Sequence, residues 1–564
     1  MSIFFLHALL FFFVSFLLLP FLLLLPFLLP SNLSLYINFK VLSTSLVNFK
    51  AAFLFDWMSL SFSCVVLIIS RVVMIYSYNY MMPYFKSSVF LFLTFCFVVS
   101  MLLVIFINNF LFTMLGWDGL GLISFFLIIF YQNQSSLSSG IFTLLINRLG
   151  DTTFLLRIFF FLIRHPSLTP FQILLPSKIL IFLLICTFIT KRAIYPFSPW
   201  LPMAMAAPTP ISALVHSSTL VTSGLYLIIR YSFLIYSFNG STKVLAFLRI
   251  FTSFYAGLNS LVETDIKKLI ALSTLSHLGF IRLTFSLGLL NLRFFHLLVH
   301  ALFKSLLFMS MGDIMINLSH SQDIRYLSRG FCYTPVSSFF KSLASVNLLG
   351  LPSLRGFFSK DLILETFFFT NSSYVLVILL YLNVILTFSY TYKLISFRFQ
   401  SIKLSSFLSF HKVSVLHICL LLVLTFSRLI FGVLFLSTVL ETTFYLTTPL
   451  TIKLVPLLFN SFLFLVLAIW LVIPSLKSKS RVSFFGSMGF LSPLLISYTS
   501  QAYKSSLFSL VKSFELGFLN SSFNSSFSII LQSCNKVFLL SLLKPSKLRV
   551  FLFSLSLACF WLIF

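Results

Sequence analysis

Acidic side chains are what this sequence has least of. Only 11 Asp and Glu occur in 564 residues, and all charged residues together make up 9%, against roughly one quarter in soluble domains. A water-soluble fold is excluded on that ground. The seven cysteines stand at 64, 96, 186, 332, 419, 534 and 559 with no CxxC pair. Bound zinc or iron–sulphur therefore has no ligand spacing to sit in. No GxGxxG follows a strand, no Walker A loop occurs, and no Ser–His–Asp set can be placed. Hydride transfer, nucleotide hydrolysis and acyl transfer are thus not the business of this chain. What is abundant is apolar surface: 59% of residues are hydrophobic, 77 are Phe, and the mean hydropathy is +1.08.

The 38 Lys and Arg give a net charge of +27. They are scattered between apolar runs, which reads as helix-end anchoring and loop topology and not as a nucleic-acid surface. The run 3–29 is too long for a signal peptide and lacks a basic start, so a retained span is expected. A polar, strand-prone link (31–50) follows. Spans of about twenty residues are then expected at 55–76, 87–107, 111–131, 141–163, 177–195, 208–233, 243–262, 269–290, 293–317, 335–351, 357–397, 413–437, 452–474 and 549–564. This is an all-α polytopic membrane protein. Between the last two spans, Leu507, Leu510, Val511, Phe514 and Phe518 recur at helical spacing. That pattern fits an amphipathic surface helix; a Ser-rich linker is the alternative.

Ionisable residues inside apolar runs are costly and mark candidate sites. Pro196, Pro199, Pro202, Pro208 and Pro210 crowd the stretch before His216, and Lys191 lies just upstream. Either this is a broken helix lining an ion path, or a Pro-rich loop joins two ordinary helices. Asp118 lies among Gly116, Gly119 and Gly121, as a buried carboxylate needing a partner or as a helix-start residue. Asp151, three residues after Arg148, suits a local ion pair. His296, His300 and Lys304 fall within an arc of about 80° and climb about 12 Å along a helix. They could form a titratable ladder or pack separately. Lys360 and Asp361 follow Ser359, which could cap a helix start. Glu263, Asp265, Lys267 and Lys268 read as an interfacial loop with balanced charge.

The same residues carry a resemblance. WLPMAMAAPTPISALVHSSTLVTSGLYLIIR, LGWDGLG, NRLGD, ETDIKK, FFHLLVHALFKSLLF and GFFSKD resemble the chain 5 family of mitochondrial NADH:ubiquinone oxidoreductase (respiratory complex I), within the Mrp antiporter-like superfamily. The resemblance implies an antiporter-like bundle of about 14–15 transmembrane helices with two broken-helix repeats. Residues 1–107 would be N-terminal spans, 108–262 and 263–474 the two half-channels, 475–548 a lateral helix along neighbouring subunits, and 549–564 an anchor. It implies a proton path through Asp118, Asp151, Lys191, His216, His296, His300, Lys304, Lys360 and Asp361, with Asp118 paired to Lys191. It implies no cofactor on this chain, with FMN, iron–sulphur clusters, NADH and ubiquinone on other subunits. The expected setting is the mitochondrial inner membrane, beside other membrane subunits and above all the neighbouring antiporter-like chain. A stand-alone cation/proton antiporter is the rival reading.

Two arginines depart from the family pattern. Arg192 stands in TKRAI and Arg355 in PSLRGFFSKD, where the family carries small residues. Arg71, Arg157 and Arg282 also lie in apolar runs. Some mitochondrial codes read AGA and AGG as Ser, so positions 192 and 355 are expected to be Ser in the native chain. True arginines that snorkel are the alternative.

Overall fold

The computed structural model describes residues 34–43, 48–81, 86–164, 178–236, 239–283, 290–317, 321–326, 334–350, 356, 359–360, 363–364, 374–396 and 417–427. The spans expected at 3–29, 452–474 and 549–564, the lateral helix within 475–548, Asp361 and Arg355 lie outside the described residues.

The strand-prone link forms an antiparallel hairpin, β1 (Leu35–Ser43) with β2 (Asn48–Phe55), in register Leu35 to Phe55 with an irregularity between Lys40 and Leu42. Helices follow: α1 Trp57–Met81, α2 Ser87–Phe106, α3 Phe110–Ile128, α4 Gln134–Arg164 and α5 Lys178–Lys191. A broken element spans Trp200 to Arg230. Beyond it come α7 Asn239–Val262, α8 Ile266–Leu283, α9 Leu290–Asn317, α10 Pro335–Leu349, α11 Tyr374–Ser396 and α12 His417–Ser427.

The interior is more polar than the periphery. The strongly apolar α2 helix is less than half buried, whereas the less apolar Thr209–Arg230 segment and α9 are enclosed. Large apolar side chains face outward, among them Leu115, Phe126, Phe182 and Phe233. In water such patches would be an aggregation hazard; in lipid they are the solvent-compatible face, and the costly groups turn inward.

Serine and threonine are tolerated within these helices because their hydroxyls fold back onto carbonyls three residues earlier. Ser63 bonds to Leu60 O (2.8 Å), Ser124 to Gly121 O (2.8 Å) and Ser305 to Leu302 O (2.9 Å), so each arrives in the apolar phase already satisfied. The α10 helix starts with Pro335, whose missing N–H costs nothing there. It ends at Gly350, whose left-handed φ of 77° a Cβ would disfavour.

The broken element occupies the centre. Helical residues Trp200–Met203 and a 3-10 turn at Ala204–Ala206 lead to an extended link at Ala207 and Pro208. Thr209–Ile211 restarts the helix, a π-helix covers Ser212–Thr219, and α6 (Leu220–Arg230) completes it. The prolines remove donors, and the wide turn frees carbonyls that hydroxyls then take up. Ser218 bonds Leu214 O at 3.0 Å, Thr219 bonds the same carbonyl at 2.8 Å, and Ser217 bonds Ala213 O. Of the two sequence readings of this stretch, the broken helix is the one formed. It packs against α1, α8 and α9.

Candidate functional site

The first cluster joins α3, α4 and α5. Lys191, the last residue of α5, sits where the helix dipole favours a cation, with its side chain 2% exposed. Its ammonium lies 3.4 Å from Asp151 Oδ1, donates to Trp117 O at 3.2 Å and stands 5.1 Å above the Trp117 ring. Gly121 makes room: a Cβ there would approach Lys191 Nζ to 3.0 Å. Arg148 reaches Asp118 and Asp151, both at 3.7 Å. The expected Arg148–Asp151 pair is therefore present, but the direct partner of Lys191 is Asp151 and not Asp118. The reason is geometric, since Asp118 faces Arg148 at the edge. Side-chain exposure falls from 41% at Arg148 and 34% at Asp118 to 4% at Asp151, so the cluster runs from an accessible rim to a dry end.

His216 lies on the π-helix, fully enclosed, 6.2 Å from the Trp200 ring; neither ring nitrogen has a hydrogen-bond partner among the described residues. Trp200 is itself fixed by donating to Thr190 O at 2.9 Å. A π-turn carrying a functional group is a recurrent arrangement.

The second cluster gathers α8, α9, α11 and residues 359–360. His296, His300 and Lys304 are all buried. Each meets a different neighbour: His296 Nδ1 is 2.9 Å from Ser359 Oγ, the His300 ring is 5.9 Å from that of His277, and Lys304 donates to Ser273 Oγ at 2.7 Å. Lys360 donates to Thr387 Oγ1 at 3.0 Å and Leu349 O at 3.4 Å. Tyr390 closes the group, 6.4 Å from the His277 ring and 3.2 Å from Ser276 Oγ.

Sequence reasoning missed His277, hidden in STLSHLGF and the single histidine of α8. It also placed Lys267 in an interfacial loop. Lys267 is buried and donates to Ala207 O at 3.2 Å, satisfying the extended link of the broken helix. Glu263 and Asp265 do lie in the link before α8, whereas Lys267 and Lys268 stand in its first turn. Asp265 and Lys268 pair at 2.7 Å on the surface, while burial pushes the Glu263 carboxyl above the usual carboxylate range. Lys393 closes the end of α7 by donating to Leu261 O (2.7 Å) and Glu263 O (2.6 Å). Of the arginines, Arg192 is fully buried with its guanidinium 5.3 Å from the Phe188 ring and close to Gly224. Arg157 lies 4.0 Å over Phe110. The side chain of Arg282 lies outside the described residues. Arg230 pairs with Asp56 and donates to Tyr226 Oη, which ties α6 to the start of α1.

A broken central helix flanked by one enclosed Lys–carboxylate cluster and one of Lys, His and hydroxyl groups defines a polytopic membrane protein of antiporter-like architecture. Residues 107–387 match the family described as NADH:quinone oxidoreductase/Mrp antiporter, TM, and residues 42–84 match NADH-Ubiquinone oxidoreductase (complex I), chain 5 N-terminus. NADH-ubiquinone oxidoreductase chain 5 of Anopheles arabiensis is 44% identical over 340 residues, covering 59% of this chain and 88% of that protein. The Aedes aegypti protein of the same name is 43% identical over 392 residues, covering 68% of this chain and 66% of that protein. The chain belongs to the NADH-ubiquinone oxidoreductase chain 5 family. It spans just under two thirds of the length of the Aedes aegypti and Anopheles gambiae relatives, at 66% and 63%. The fold is shared with a chain of the Mrp complex of a Dietzia species (20% identity, TM-score 0.66, 90% of this chain and 59% of that chain). It is shared too with a chain of the membrane-bound sulfane sulfur reductase, an archaeal respiratory membrane complex (18% identity, TM-score 0.64, 77% of this chain and 91% of that chain).

Proposed function

We propose that this chain is a proton-translocating core membrane subunit of NADH:ubiquinone oxidoreductase, and so part of an H+-translocating enzyme, in the mitochondrial inner membrane. Electron transfer from NADH to ubiquinone, with FMN and iron–sulphur clusters, is assigned to other subunits. The observation that carries the reading is the enclosed ammonium of Lys191, held between Asp151 and the Trp117 carbonyl beside a second enclosed Lys–His set. In the proposed cycle, Asp118 and Asp151 compete for Arg148, while Arg148 and Lys191 compete for Asp151. When Asp151 turns toward Arg148, Lys191 loses counter-charge and gives up its proton along the His216–Lys304 line. His300, His277 and His296 then carry it toward Lys360, and Asp361, next in the sequence, is proposed to take part. Moving one proton against about 150 mV takes about 3.5 kcal/mol, within reach of switching a buried ion pair.

The test is the reconstituted complex. Asp118→Asn, Lys191→Met and Lys360→Met should each leave an assembled, NADH-oxidising complex that pumps poorly; normal pumping in all three would reject the reading. The partners proposed are the neighbouring antiporter-like subunit and the bilayer. Truncation near residue 480 should release the chain from its neighbours, and unchanged assembly would count against the lateral brace. The shared fold with the Mrp complex chain favours one second reading, a stand-alone cation/proton antiporter. Migration of the chain apart from NADH-oxidising activity on a native gel would select it.

A further inference from the structure

We propose that Asp313 and His417 form an additional proton-exchange pair, set on the opposite side of α9 from Lys304. The proposal rests on the proton-translocating reading above. Asp313 follows Lys304 by nine residues, which rotates it about 180° and carries it about 13.5 Å along the helix. There it meets α12. His417 Nδ1 lies 2.9 Å from Asp313 Oδ1, with the two side chains 9% and 1% exposed.

The surroundings are built for this pair. The Tyr76 ring of α1 packs 4.8 Å from the imidazole, and Tyr80 stacks on Tyr76 at 5.9 Å. Gly312 opens the floor: a Cβ there would overlap the Tyr76 hydroxyl and stand 3.2 Å from Thr209 Oγ1. Asn317 Nδ2 donates to Asp313 O at 3.1 Å. The groups against Asp313 are thus Tyr76 from α1 and His417 from α12, and Tyr76 in turn meets Thr209 of the broken helix and Tyr80; of these only His417 carries positive charge when protonated. Thr209 opens the segment that bears His216 seven residues on.

Two apolar side chains would fasten these helices at least as well, because an enclosed ion pair is no bargain in stability. What a carboxylate and an imidazole add is proton capacity. His417 Nε2 is enclosed and has no hydrogen-bond partner among the described residues, so one ring nitrogen faces the carboxylate and the other is left with its bonding capacity unused. A proton taken up at Nε2 lets the Nδ1 proton move to Asp313 Oδ1, leaving a neutral imidazole and a carboxylic acid. Passing that proton through the Tyr76 and Thr209 hydroxyls regenerates the carboxylate.

The experiment uses the whole complex in proteoliposomes and reads protons moved per NADH oxidised together with the amount assembled. Asp313→Asn and His417→Gln should lower the ratio about twofold at unchanged assembly, as when one of two routes is cut. The double variant should be no worse than either single, and Asp313→Glu should restore the ratio. A normal ratio in Asp313→Asn and His417→Gln, with a lowered one in Lys304→Met, overturns the pair and leaves the main reading standing. A normal ratio in Lys304→Met as well overturns the main reading. Should Asp313→Asn fail to assemble, Tyr76→Phe keeps the packing and removes only the hydroxyl. A lowered ratio in Tyr76→Phe supports the relay, and a normal one makes the pair a structural clamp.

Discussion

The two enclosed clusters hold their lysines by different chemistry. Lys191 has a carboxylate at 3.4 Å and a second acid, Asp118, one arginine away. Lys304 and Lys360 are held by the hydroxyls of Ser273 and Thr387. A carboxylate supplies counter-charge, whereas a hydroxyl supplies a hydrogen bond to ammonium or amine alike. The first region is therefore suited to storing and switching charge, and the second to passing a proton along neutral and charged carriers.

Breaking the switch should have the largest effect. Asp151→Asn removes counter-charge from Lys191, and leaving a buried cation unpaired costs about 3–5 kcal/mol. Assembled complex should fall steeply, as read by native gel. Adding Lys191→Met should restore assembly but not pumping. If the double variant assembles no better than Asp151→Asn, the counter-charge view of this region is wrong.

In the second region the comparison is sharpened by removing a hydroxyl. Ser273→Ala should cost about 1–3 kcal/mol through the lost partner of Lys304 and slow pumping without abolishing assembly. Ser273→Asp would import the chemistry of the first region; it should hold the ammonium and stall transfer. Proton flux in vesicles reads both, and faster pumping in Ser273→Asp would contradict the division of labour.

At the rim, Asp118→Asn acts on a pair that is a third or more exposed. Its stability cost should be no more than about 1 kcal/mol, seen as nearly unchanged thermal inactivation, while pumping drops. Equal losses of assembly in Asp118→Asn and Asp151→Asn would erase the rim-to-dry gradient.

The smallest effect concerns Arg192, which adds an enclosed cation to the first region. If position 192 is serine in the native chain, mass spectrometry of the peptide will show it, and the AGA or AGG codon will agree. Arginine in that peptide, or a CGN codon, ends the idea.

Much of this was legible in the chain itself. Apolar runs of membrane length, the crowd of prolines before His216 and the i, i+4, i+8 placement of His296, His300 and Lys304 follow from local spacing, because a helix in lipid must satisfy its own backbone. These features determined the helices, the break and the enclosed ionisable residues. Partner choice was not legible. Asp118 and Asp151 are both within reach of a lysine from the sequence, and only the packing of α3, α4 and α5 gave Lys191 to Asp151. Lys267 read as loop because charge balance is a local signal, whereas its bond to Ala207 O spans 60 residues. His277, and the Asp313–His417 pair across more than a hundred residues, carry no periodic signal at all. Spacing along a helix fixes which face a side chain takes. What lies across from that face is decided by tertiary contacts, and for groups that exchange protons the partner across the gap sets the chemistry.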